Sequence, residues 1–82
     1  MEATAIEPKG RISSKDLGLW NDEQIIAHKE LTKDCHFFGA KMGIQLAHAG
    51  RKCTVENLTP IAPSAIAFLK EAPFKEPLEM SL

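Results

Sequence analysis

With 82 residues, and 10 basic against 11 acidic side chains for a formal net charge of −1, the sequence is too short for two domains. It is also less basic than a dedicated nucleic-acid binder. Its 44% apolar and 26% charged residues make an ordinary globular mixture, which excludes a disordered or collagen-like chain. No run approaches the about 18 apolar residues of a membrane span, and Met1–Ala5 has neither a basic start nor an apolar leader. Two cysteines, Cys35 and Cys53, are too few for a secreted disulfide scaffold. A cytoplasmic, reducing setting is expected, with neither membrane nor nucleic acid as partner.

In chain order, Glu2–Ile6 reads as the end of a strand running into the turn marked by Pro8 and Gly10. Residues 9–20 show no sustained period and are expected to form a loop tipped with Leu17, Leu19 and Trp20. Asn21 then stands three residues before Gln24, the spacing of a capping box, and Asp22 and Glu23 suit the positive end of a helix dipole. Ile25, Ile26, Leu31, Cys35 and Phe38 fall near helical spacing and Gly39 is placed to end the helix, which predicts a helix at 22–38. Phe37 and Phe38 with Ile25 and Ile26 are expected to face the core, Cys35 to be a buried apolar residue, and His28 to lie at the surface or at a boundary.

Lys41–His48 alternates with period two: Met42, Ile44 and Leu46 share one face, Gly43, Gln45 and Ala47 the other. This predicts a strand, and strand, helix, strand is a βαβ unit with parallel pairing. In a closed (β/α)₈ barrel the aliphatic face would meet the outer helices, and Gln45 would point towards the carboxyl-terminal mouth where such barrels hold their active sites. From 51 to 80 four prolines interrupt the chain and no period survives, so a long loop is expected apart from a short apolar patch at Ile61–Phe68. Ser81 reads as the N-cap of a further helix, so that both ends look like cuts from a longer chain.

The segments Gly43–Lys52 (GIQLAHAGRK) and Ala62–Ile66 (APSAI) are the most specific. Together with Glu2–Ala5, Gly10–Ser13, Asp16–Trp20 and Asp22–Ile25 in the same order, they resemble the old yellow enzyme family, in its branch of bacterial NADPH dehydrogenases and xenobiotic reductases. The resemblance runs essentially end to end. It implies an α/β chain that is part of an FMN-binding (β/α)₈ barrel: the end of strand 2, helix 2, strand 3 and the long loop after it, with residues 1–82 a partial domain. It also implies that Ala3 matches the family's alanine against the flavin, and that Gln45 matches the strand-three glutamine that hydrogen-bonds the pyrimidine edge. A ring can approach the backbone only beside a small side chain, and a glutamine amide offers both donor and acceptor to that edge.

Ala47, on the same face, would leave room for substrate, and His48 and Arg51 lie just past the strand end as secondary active-site candidates. The complete enzyme would take electrons from NADPH or NADH and pass hydride to an activated, electron-poor alkene such as an enone. The resemblance leaves it free to form homo-oligomers. The family's substrate-holding histidines, its arginine near flavin N1 and its phosphate-binding segment have no counterpart here. No catalytic residue is therefore assigned, and the 82-residue chain is expected to be inactive alone. The other class consistent with the sequence is a non-catalytic remnant or small binding module without cofactor.

Blander readings compete for each residue. Gln45 alone could be a hydrogen-bonded barrel-lining residue, and Arg51 with Lys52 a solvated edge. A zinc set from Cys35, His36, His48 and Cys53 is not expected, because neighbours on a helix project about 100° apart and no C-x-x-C pair exists. A phosphate loop is rejected as well: Gly43 and Gly50 are not in its spacing, and no lysine directly follows Gly50.

Overall fold

The computed structural model describes residues 1–81. Three short strands, β1 (Ala3–Ala5), β2 (Leu17–Gly18) and β3 (Gln45–Ala47), form a parallel sheet in the order β2-β1-β3. A 16-residue helix, α1 (Asp22–Phe37), connects β2 to β3. The chain beyond β3 makes a second parallel pair, β4 (Ile61–Ala62) with β5 (Leu78–Glu79). Single 3-10 turns follow β1 at Pro8–Gly10 and β3 at Gly50–Lys52.

The helix forms for the reasons its ends announce. Asn21 Oδ1 accepts from the Gln24 backbone N–H at 3.0 Å, while Gln24 Oε1 accepts from the backbone of Trp20 at 2.7 Å and of Asn21 at 3.3 Å. Its other end closes through Gly39 at φ 78°, with Gly39 N–H donating to His36 O and Ala40 N–H to Cys35 O, a Schellman pattern that needs the left-handed backbone glycine tolerates. The helix stops at Phe37, one residue short of the expected end.

The face expected to dock on the core stays exposed. No residue of α1 is buried: Phe37 is 83% exposed, Phe38 82%, and Cys35 is only half-buried. Adjacent apolar pairs on a helix splay about 100° apart, so Ile25–Ile26 and Phe37–Phe38 give no single stripe to dock. The two phenyl rings instead stack edge-to-face on each other, 5.2 Å between centroids. His28, expected at the surface or a boundary, ties the helix to the sheet through Nε2 and the Gly18 carbonyl at 3.0 Å.

Three further expectations change. The segment 9–20 is not all loop, because Leu17–Gly18 pairs with Thr4–Ala5 and Leu19 N–H reaches Ala5 O at 2.8 Å. A side chain at Gly18 would collide with the Trp20 ring, which explains a glycine inside this short strand. The strand over 41–48 shrinks to Gln45–Ala47, since β1 supplies only three residues to pair with it, and the aliphatic Leu46 is left 59% exposed rather than covered by α1. The stretch 51–80 is no structureless loop: Leu78 and Met80 donate to Pro60 and Ala62 carbonyls, closing β4 against β5. Lys75 Nζ donates to the carbonyls of Val55 and Leu58 at 2.7 and 2.6 Å. A helix beginning after Ser81 lies outside the described residues.

The core is correspondingly small. Thr4 and Ala5 on the central strand and Gly10 in the turn after it, with Cys53, Val55, Pro60, Ala62 and Pro77 from the chain beyond β3, are its buried residues. The connections leaving β1 and β3 are sewn together by Ala49 N–H to Gly10 O at 2.8 Å and by Thr54 N–H and Oγ1 to Ile12 O at 2.7 and 2.6 Å.

Candidate functional site

Parallel strands release their carboxyl-terminal ends side by side, so the register of β1 and β3 decides what meets at that edge. Ala3 pairs with Gln45, Thr4 with Leu46 and Ala5 with Ala47. Paired residues of a parallel ladder share a face, and alternate positions return to it. Ala3, Ala5, Gln45 and Ala47 therefore form one face of three methyl groups and a single amide, while Thr4 and Leu46 occupy the other. Gln45 and Ala3 are exposed, and the Gln45 amide makes no side-chain hydrogen bond among the described residues.

Just past the strand ends the chain turns polar. His48, one residue beyond β3, places Nε2 2.5 Å from Glu7 Oε1, two residues beyond β1. Its Nδ1 accepts the Gly50 backbone N–H at 3.1 Å. These two side chains with Ile6, Ile61 and Met80 line a largely apolar cavity of about 480 Å³ where the sheet edge meets β4. Arg51 is drawn elsewhere: its guanidinium lies 5.6 Å over the Phe68 ring, which Lys52 Nζ also faces at 4.7 Å. Ala3, Ala47 and Gln45 thus lie on one sheet face and His48 at its edge, whereas Arg51 is engaged by the 63–77 excursion.

Glu7 is the residue that sequence reasoning missed. Its signal was its position just after the first strand, matched by His48 just after the third. No group of three or more potential metal ligands occurs among the described residues.

The model of the NADH:flavin oxidoreductase / NADH oxidase family matches residues 1–80. This chain belongs to that family. It is 53% identical over 81 residues to an NADPH dehydrogenase of Listeria monocytogenes serotype 4b (strain CLIP80459), and 49% identical to the NADPH dehydrogenase of Bacillus subtilis (strain 168). Both matches cover 99% of this chain and 23% of the relative, so the chain spans about a quarter of the length of the curated relatives it matches. The solved structure of morphinone reductase superposes with a TM-score of 0.79 at 26% identity, over 98% of this chain and 26% of that one. The fold of this family member is accordingly α/β, that of the corresponding part of a (β/α)₈ barrel. Among the described residues no helix is long and apolar enough to cross a membrane.

The site suits a flavin on its own chemistry. Methyl groups on both strands leave a flat ring room to approach the backbone, and an exposed amide stands among them with both a donor and an acceptor to offer.

Proposed function

We propose that residues 1–82 form the partial barrel domain of an FMN-dependent NAD(P)H oxidoreductase, contributing the face that meets the pyrimidine edge of the flavin. The observation that carries this reading is the Ala3↔Gln45 register, which sets a methyl and an amide side by side on adjacent parallel strands. Bound FMN would supply the redox chemistry, hydride transfer from NADPH or NADH to an electron-poor alkene such as an enone.

What this chain does is bind and orient. The Gln45 amide would hold the ring's pyrimidine edge, its N–H donating to a ring carbonyl and its carbonyl accepting from a ring N–H, and so would orient the ring and tune its electronics. Ala3 keeps its strand close to the ring, and the small Ala47 leaves space above it for substrate. The largely apolar cavity beside His48 lies next to that edge. The substrate-activating groups belong to parts of the family's barrel outside these residues. A cytoplasmic location belongs to the same reading.

The test is a chimera in which residues 1–82 replace the matching segment of the Bacillus subtilis NADPH dehydrogenase, 49% identical here. The expected product is a yellow protein with bound FMN and NADPH oxidation coupled to reduction of an enone such as cyclohexenone. A folded chimera that retains no flavin overturns the reading. One that oxidises NADPH but leaves the enone untouched removes the alkene from it.

A further inference from the structure

The His48 ring is held on three sides, and each contact has a consequence for what it can do. The Gly50 backbone N–H points at Nδ1, so that nitrogen must present its lone pair. In the neutral ring the proton then sits on Nε2, which donates it to the Glu7 carboxylate. The ring edge lies on Gly10, where a Cβ would come within 2.9 Å of Cδ2 and within 3.4 Å of Glu7 Cγ. Both nitrogens are engaged by the protein, and the side chains of His48 and Glu7 are only 27% and 34% exposed.

From this we infer that His48 and Glu7 are a positioning pair for the flavin edge: the ring pins the chain leaving β3 to the chain leaving β1 and so holds Gln45 and Ala3 in register. His48 does not serve as a proton donor to substrate. The connection is short. His48 directly follows Ala47, the last residue of β3, and Glu7 comes two residues after Ala5, the last of β1. Backbone bonds run in parallel, Ile6 N–H to Ala47 O at 3.3 Å and Ala49 N–H to Gly10 O at 2.8 Å, but among the described residues the side-chain pair is the one charge-assisted link between the two strand exits. The ladder itself is only three residues long, so the bonds between the two exits, this pair among them, carry much of what resists sliding or splaying.

The inference rests on the flavin-facing role proposed for Gln45, and the chimera separates the two. If the parent chimera holds no FMN, the reading of the site has failed. If it holds FMN, variants at the pair test the positioning role. Glu7→Ala and His48→Ala should each weaken FMN binding about tenfold, the loss of one hydrogen bond to a charged group, and shift the visible flavin band. The double variant should lose little more than either single, since both remove the same link. Glu7→Gln keeps an acceptor for Nε2 and should recover most of the affinity. Gly10→Ala removes neither partner but displaces the ring, and should move the flavin band in the same direction as His48→Ala.

Unchanged FMN affinity and spectrum in the single variants would overturn the positioning role, as would independent, additive losses. A fall in kcat for His48→Ala with FMN affinity and spectrum intact would also overturn it, because it would mark the ring as a group acting on substrate.

Discussion

Gln45 shows how much one side chain can say when its neighbours are small. An amide in a strand is unremarkable by itself. Flanked by Ala47 on its own strand and by Ala3 across the ladder, it becomes the one polar group on an otherwise methyl face. Replacing it should therefore be felt by the ring rather than by the fold. In the flavin-loaded chimera, Gln45→Leu is expected to lower FMN affinity by about 1–3 kcal/mol, the cost of leaving a buried polar edge unpaired, and to shift the flavin's reduction potential. Fluorescence titration of FMN and a dye-equilibrated potential measurement check this; an unchanged affinity and potential would remove Gln45 from the site. Strand periodicity and the family resemblance both point to Gln45, while Ala3 rests on the resemblance alone. Glu7 sits just past a strand end, but the chain alone does not reveal the hydrogen-bond partner 41 residues away on which its role depends.

At the scale of elements, the ends of α1 were legible and its packing was not. Capping is local chemistry: Asn21, Gln24 and Gly39 act on backbone within a few residues of themselves, so their spacing is enough. Asn21→Ala should cost about 1 kcal/mol of stability, read as a lower urea midpoint in the chimera, because it strips the acceptor from the Gln24 N–H. An unchanged midpoint would mean that the Gln24 side chain alone satisfies this helix end. Strand lengths and partners obey no local rule. β2 is two residues long, and β4 and β5 are two residues each and separated by the whole 63–77 excursion. Dipeptides carry no periodicity, and only the carbonyls of Ala5, Pro60 and Ala62, waiting in space, make strands of them.

The molecule as a whole is open. Its radius of gyration is 15.2 Å, where a compact domain of this length would have about 12 Å. Ile26, Phe37, Phe38 and Ile66 are each more than 60% exposed, and only a handful of small side chains are buried. A flavin has two faces and a phosphate to satisfy, and one sheet face with a single amide could meet only one edge of it. The 82-residue chain purified alone is accordingly expected to be colourless and to show no NADPH oxidation above background, measured by absorbance at the flavin and NADPH bands. A yellow preparation would show that this face suffices for the cofactor. The amino-acid sequence by itself determined what depends on short separations: the helix with its caps, the alternation that puts Gln45 and Ala47 on one side of a strand, and the ordered motifs of the family. Tertiary structure alone decided the register that sets Ala3 beside Gln45, the closing of β4 on β5, the exposure of the helix, and the meeting of His48 with Glu7. Those outcomes depend on which distant backbone groups and apolar surfaces find one another, and residue order does not encode that distance.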